Sequence, residues 1–274
     1  MKPDVLKQLH QVNIEILDEI VRVCNSHGLR YYLFAGSLLG AVRHEGFIPW
    51  DDDIDLEMPR KDYNVFCKIC ASELSDNYYI DSIDSDPNYP RPFIKIRKHN
   101  TIFVTKPYID NGYKLGGIGI DIFPIDECCP SSFFMKIKNI WINMMLTICK
   151  YDVVKQEKIP LKYKILSFIC GKNHRNHYHF LECLMEFDFW SSKKFLVNWC
   201  SPYGYKKHTF DYTAYEPAIE VAFEGKMYSA PASPKNVLSL IYGDDYMQMP
   251  PIEKRVTHNP LRLSFDLSKE DVEL

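Results

Sequence analysis

Long apolar runs are missing from this 274-residue sequence. The most apolar stretch, IWINMMLTIC at 140–149, is about half of the ~18 residues that cross a bilayer, and it contains Asn143. The opening MKPDVLKQLHQVNIEIL has neither the basic end nor the unbroken apolar core of a secretory signal, so a cytoplasmic protein is expected. A strong net charge is also lacking. With 33 basic and 36 acidic residues the formal charge is −3, which gives no reason to expect a nucleic-acid partner. Internal repeats and low-complexity tracts are absent. Nine cysteines, an odd number, follow no scaffold spacing, and a chain this long buries a core without disulfide staples. What remains is an ordinary globular composition, enough for one large domain or a domain with an appendage.

The charge is unevenly spread. Residues 131–210 carry 13 Lys and Arg against 5 Asp and Glu, an excess of +8, and the rest of the chain is correspondingly acidic. A basic middle meets phosphates or anionic lipid, although a solvated helical face is the default reading of any one charge run. The pattern from 131 to 205 is Lys-rich, aromatic and helical without strand signals. It is read as an insertion packed on a sheet, with contact to the inner membrane face as the alternative. Cys67 and Cys70 form a CxxC inside the helical stretch DYNVFCKICASEL, where both fit an apolar face. They are read as core thiols rather than zinc ligands. HRNHYH at 174–179 sits among basic residues and is read as a loop rather than a metal site.

From Pro3 to Gly28 the apolar positions Val5, Leu9, Val12, Ile16, Ile20 and Val23 recur at helical spacing. LRYYLFA then reads as a strand, and AGSLLGAVRHEG as a turn into a short helix. IDLEM reads as a second strand, with Ile54, Leu56 and Met58 on one face and Asp53, Asp55 and Glu57 on the other. A helix follows over about 60–72. PFIKIRKHNTIFVTK resembles two strands joined at His99–Asn100, and GGIGIDIFPID a strand with an embedded Asp121, ended by Pro124. YEPAIEVAFEGKMYSAP returns to strand and turn chemistry, and SPKNVLSLIYG is a short helix. This order implies a mixed α/β (α+β) fold: a core over 1–130, the helical insertion over 131–205, and a C-terminal part over 206–274 that completes the core.

FIPWDDDIDLEMP, residues 47–59, sets four aspartates within five positions. A calcium loop begun at Asp51 has Leu56 where glycine makes the turn and Asp62 where a glutamate chelates, so calcium is rejected. A solvated turn accounts for Asp51 and Asp52, which follow Pro49–Trp50. It does not account for Asp53 and Asp55, which strand alternation aims to one side, within reach of a single cation. Asp121 supplies a third ligand if its strand is a neighbour. Hard oxygen donors without thiol or imidazole favour Mg²⁺ or Mn²⁺. Upstream, Gly36–Ser37 ends a strand where a helix begins, a place for phosphate oxygens. Arg43 and His44 lie one or two turns on, and Lys95 and Arg97 alternate on one strand face; all four are candidates for a pyrophosphate. GS after a strand, DxD on a strand and a lone Asp on a later one together describe a metal-dependent transferase acting on a nucleoside polyphosphate.

FAGSLLGAVRHEGFIPWDDDIDLEMPRKDY closely resembles the signature of the LicD family of phosphocholine transferases, related to the fukutin-type phosphotransferases. GIDIFPID and YGDDYMQMPPIEKRVTHNP look like LicD proteins in order and spacing. The resemblance implies a nucleotidyltransferase-like fold. It also implies transfer of phosphocholine from CDP-choline to a sugar hydroxyl of a surface glycan precursor (teichoic acid-type, lipid-linked), releasing CMP. Gly36 and Ser37 match the GS turn, Asp53 and Asp55 the metal-binding pair, and Asp121 the third acidic position. A zinc pattern does not map onto these cysteines. Choline's quaternary ammonium suits an aromatic cage, for which Trp50 is the candidate. A ribitol- or glycerol-phosphate transferase of the same fold, a nucleotide-sugar glycosyltransferase and a non-catalytic glycan-binding module are the competing readings.

Overall fold

The structure, a computed structural model, describes residues 1–111, 116–129, 132–153, 161, 163, 165, 171, 173–187, 194–255, 257–269 and 271–272. In chain order the elements are α1 (Pro3–His27), β1 (Tyr32–Leu33), α2 (Ala35–His44), β2 (Asp55–Pro59), α3 (Arg60–Glu73), β3 (Tyr78–Asp81), β4 (Ile94–Lys98), β5 (Ile102–Val104) and α4 (Lys106–Asn111). They continue with β6 (Gly119–Cys128), α5 (Ser132–Val153), α6 (His174–Glu186), β7 (Phe195–Val197), β8 (Thr209–Asp211), β9 (Ile219–Phe223), β10 (Lys226–Ala230), α7 (Pro234–Tyr242) and β11 (Arg262–Ser264). The fold is mixed α/β.

α1 has a proline in its first turn and closes on Gly28, whose φ of 63° makes the left-handed cap. Its buried stripe of Leu9, Val12, Ile16, Leu17, Ile20 and Val23 is broken by one polar residue, Asn13, itself buried. The main sheet runs β1-β2-β6-β4-β3, and β7 and β8 extend it from the far end of β6. Only β2 and β6 are parallel among these neighbours; the other pairings are antiparallel. Two ribbons, β9–β10 and β5–β11, lie outside it.

Two apolar cores result. The larger joins α1, β2, β6 and α7 through residues such as Ile16, Leu56, Ile122 and Leu238. The smaller lies between α5 and α6, around Met145, Ile148, Leu181 and Met185. It also takes in Cys128 from the end of β6, and Ile83 and Tyr89 from the segment before β4. Cys67 and Cys70 are free thiols on α3, and burial pushes the Cys70 thiol up to about 12, as a core thiol requires.

Several expectations need correction. Pro124 does not end its strand: β6 runs on to Cys128. On the edge of β6 away from β2, β4 pairs as far as Ile122 and β7 begins at Asp126, so the proline falls in a gap in the ladder. His174–His179 are not a loop but the start of α6, because the Asn173 side chain accepts the Asn176 amide at 3.1 Å and caps the helix. The segment 131–205 also supplies a strand, β7, which pairs with Asp126–Cys128. β4 and β5 are joined at His99–Asn100 but pair with different partners, β5 with β11. Glu57, on the strand face expected to carry Asp53 and Asp55, is buried and held by Asn198 Nδ2 and Tyr215 OH, each at 2.6 Å.

His208 gives the fold a specific acid sensitivity. It is fully buried, touching the rings of Phe34 and Phe210, and burial pushes its pKa down to about 3. The unfolded chain therefore binds a proton near pH 6.5 that the folded chain refuses. Stability is complete above that pH and declines as pH falls toward the folded value, costing about 2 kcal/mol by pH 5. Urea melts at pH 7 and pH 5 should show this loss in the wild type and lack it in His208→Leu. Equal losses in the two proteins would remove His208 as the cause.

Candidate active site

The acidic loop forms part of the wall of a cleft of about 880 Å³. Three neighbours fix its backbone. The Phe34 amide donates to Asp55 O at 3.0 Å, and α2 starts at the next residue. Ser37 Oγ accepts the Asp55 amide at 2.9 Å, so this hydroxyl anchors the second aspartate of the DxD and keeps its own proton to donate. From the other side, α1 reaches in with His10 Nε2 at 2.7 Å from Asp51 O and Asn13 Nδ2 donating to Asp52 O at 3.1 Å. Gly36 is set by close approach: a Cβ there would lie 2.6 Å from Asp51 Oδ2. Ala35 and Gly36, the first turn of α2, line the cleft.

Register across the sheet completes the floor. β2 and β6 are neighbours, with Asp55 opposite Asp121; Asp121 faces Lys95 on β4, and Lys95 faces Asp81 on β3. Lys95 Nζ stands 2.9 Å from Asp121 Oδ1 and Arg91 Nη1 3.2 Å from Asp121 Oδ2. Opposite them, His258 donates its amide to Asp52 Oδ2 at 3.1 Å and sets Nδ1 2.8 Å from Asp52 Oδ1 and 3.6 Å from Asp53 Oδ2.

The charges are strained. Loss of solvent, then Asp53 and Asp52, push Asp51 up to about 8. Loss of solvent also raises Asp53, and it raises Asp55 well above the carboxylate range with Asp53 and Asp121 adding repulsion. Burial pushes Asp121 the same way, but Lys95 and Arg91 outweigh it and the net shift is downward. The hydrogen bond to Asp52, against burial and with help from Asp53, lifts His258 to about 9, so it is cationic at neutral pH.

Crowded, desolvated carboxylates of this kind fit a divalent cation, and oxygen donors suit Mg²⁺ or Mn²⁺. The expected ligands Asp53, Asp55 and Asp121 line the cleft together. Their oxygens do not close into a tight trio, however. Among the described residues, the His, Cys, Asp and Glu group whose donor atoms lie within 4.8 Å of one another is Asp52, Asp53 and His258. The reason is electrostatic: like charges separate, Lys95 and Arg91 draw Asp121 toward themselves, and imidazolium fills the space beside Asp52.

The remaining candidates divide. Arg43 lines the cleft but spends Nη1 on Tyr246 O at 3.0 Å and Gln248 O at 3.2 Å, tying down the loop after α7. His44 accepts Arg43 Nε at 2.9 Å. Trp50 lines the cleft with Arg255 stacked 4.2 Å from its ring centre, which covers one face of the expected choline platform. Arg97 does not join Lys95. It is buried and bound to Asp81 Oδ2 at 2.7 Å, Gly117 O at 2.6 Å and Tyr108 OH at 2.9 Å.

Sequence reasoning missed Arg91, His258, Asn13, Tyr203 and Tyr242. Asn13 alone left a trace, a polar residue inside an apolar stripe. Tyr203 and Tyr242 line the cleft with ring centres 5.5 Å apart, edge to face, and their hydroxyls 3.2 Å apart.

A family model described as the LicD/FKTN/FKRP nucleotidyltransferase domain matches residues 28–152, the part that carries the GS turn, the acidic loop and β6. The chain carries a LicD-family domain. Individual relatives agree. The lipopolysaccharide cholinephosphotransferase LicD of Haemophilus influenzae is 27% identical over 275 residues, spanning 94% of this chain and 97% of that protein. The ribitol 5-phosphate transferase FKRP of Mus musculus and its Homo sapiens counterpart are each 57% identical over 37 residues, 14% of this chain and 8% of theirs. The LicD-family domain ends inside α5, so His258, Tyr203 and Tyr242 reach the cleft from beyond it, whereas the Haemophilus relative spans nearly the whole chain. The protein is an enzyme, a phosphotransferase with a LicD-family domain over residues 28–152.

Proposed function

We propose that this LicD-family enzyme transfers phosphocholine from CDP-choline to a hydroxyl of a lipid-anchored surface glycan and releases CMP. The observation that carries the reading is the row Asp55–Asp121–Lys95 across three paired strands, whose two aspartates line a cleft that also holds Asp53 and the first turn of α2. Two acids and a base stand in line there, the charges that a cation-bridged pyrophosphate requires. The Haemophilus relative is named for lipopolysaccharide, so the acceptor class proposed is the lipid-anchored glycan at large, with a teichoic acid-type precursor as one member.

A magnesium or manganese ion held by Asp53 and Asp55, with Asp121 as third donor, would neutralise the pyrophosphate and the charge developing on departing CMP. Ser37 Oγ–H and the first amides of α2 bind phosphate oxygens. Lys95 and Arg91 add positive charge from the β4 side. Asp121, facing the same space as Asp55, orients the acceptor hydroxyl. The hydroxyl oxygen bonds to the phosphorus that bears choline, the bond from that phosphorus to the bridging oxygen breaks, and the proton leaves to a carboxylate or to solvent. For the trimethylammonium, Tyr203 and Tyr242 are better placed than Trp50, whose face Arg255 takes.

CMP release by the purified protein, given a lipid-linked glycan acceptor and CDP-choline, CDP-ribitol or CDP-glycerol, tests this. Release from CDP-choline with Mg²⁺, abolished by EDTA, is expected. Release from another CDP-alcohol alone would keep the mechanism and replace the head group. Silence with every donor, using an acceptor competent for a known enzyme, would leave a binding module.

A further inference from the structure

α5 is apolar on two sides, and only one is covered. Met135, Ile142, Met145 and Cys149 pack into the smaller core. Phe133, Ile137, Ile140, Trp141 and Met144 fall at i, i+4, i+7, i+8 and i+11 on a second stripe. There Phe133, Ile140 and Trp141 keep 64%, 66% and 50% of their surface exposed. α6 continues the patch with Phe180, 53% exposed, and the two helices share an open cavity of about 410 Å³ lined by Trp141, Met144 and Phe180. A soluble helix normally turns charge outward on this side.

Among the described residues of α5, every exposed charged side chain is basic. Lys136 and Lys150 are exposed on α5. The acid of that helix, Asp152, is turned inward, its Oδ2 2.8 Å from His177 Nδ1 and its Oδ1 accepting Tyr163 OH at 2.8 Å. On α6, Glu186 is turned to Asn64 Nδ2 at 2.7 Å and Glu182 to His179 at 3.2 Å. Residues 131–210 as a whole carry the +8 excess. Among the described residues no helix is long and apolar enough to cross a membrane.

We propose that the outer face of α5 and α6 docks on the surface of an anionic phospholipid leaflet, with the Phe133–Ile140–Trp141 stripe in the acyl boundary and the lysines among the headgroups. Aromatic and aliphatic residues on one helical face with flanking lysines are what that interface takes up, and each lysine near an anionic surface strengthens binding several-fold. The inference does not depend on the proposed reaction, since binding is read without turnover.

Co-sedimentation of the full chain with phosphatidylglycerol–phosphatidylethanolamine vesicles and with pure phosphatidylcholine vesicles tests it. Binding to the anionic vesicles about tenfold tighter than to the neutral ones, weakened by salt, is expected. The double variant Ile140→Ser/Trp141→Ser should lose about tenfold of that binding with an unchanged circular dichroism spectrum. A Lys136→Glu variant, which leaves the apolar stripe intact, should lose the preference for anionic vesicles. A folded protein that ignores both vesicles, or a double variant that binds as before, would overturn the proposal. So would a dimer in solution that the same double variant dissolves, because a second copy would then own the face.

Discussion

Asp55→Asn should lower CMP release about a thousandfold and at the same time raise the melting temperature of the metal-free protein. Both halves follow from one geometry. The Asp55 carboxyl is held well above the usual range by loss of solvent, Asp53 and Asp121, and the amide keeps its shape. Removing the charge relieves repulsion with Asp53 and with Asp121, its partner across β2 and β6. Replacing strained charge of this kind typically returns about 1 kcal/mol or more, some 2–4 °C for a chain of this size. Adding Mg²⁺ or Mn²⁺ should stabilise the wild type and not the variant. An inactive variant that is also less stable would make Asp55 structural; a fully active one would remove it from the site.

Arg97→Met should do the reverse, lowering stability by about 3–5 kcal/mol, on the order of 10 °C, while the folded fraction keeps its KM for the donor. Arg97 is bound by a carboxylate, a carbonyl and a hydroxyl, and its side chain is only 3% exposed. Truncation strands Asp81 and the Gly117 carbonyl. Arg91→Met is the contrasting case. Its guanidinium is 30% exposed at the cleft and paired with Asp121, so that change should raise KM or lower kcat at little cost in stability. Thermal melts and donor titrations on the two variants separate the roles. An Arg97 variant that stays stable with a raised KM would restore the pyrophosphate assignment.

These two arginines show what could be read from residues alone. Alternation along β4 correctly set Lys95 and Arg97 on one face, but a face is not an address. Two residues of rise moved Arg97 out of the cleft toward Asp81. A signal existed in GGIG: a Cβ at Gly116 would meet the Arg97 guanidinium carbon at 2.6 Å and one at Gly119 its Cγ at 2.8 Å. Those glycines make room for a buried side chain. The DxD and the GS turn could be placed because they are local in sequence and periodicity carries direction, whereas Asp121 meets them only through the pairing of β2 with β6. Arg91, His258 and the tyrosine pair come from distant segments whose positions only the closed sheet defines. His258 meets Asp52 across 206 residues of chain. The helical start at His174 is a simpler case, because its capping Asn173 is a local signal that basic neighbours obscure.

β6 is one continuous strand with two owners. Its first half carries Asp121 and packs in the larger core; its last residues, through Cys128, belong to the smaller one and pair with β7. The helical unit is therefore not a cassette. A chimera cut at 130 and 205 would remove β7 with the helices and leave the Asp126–Cys128 edge bare, an invitation to aggregation. Tyr89, anchored in the same core, sits two residues before Arg91, so foreign helices would also reset the approach to Asp121. A helix exchange between relatives has to keep β7 with the recipient, because the Asp126–Cys128 edge pairs with it.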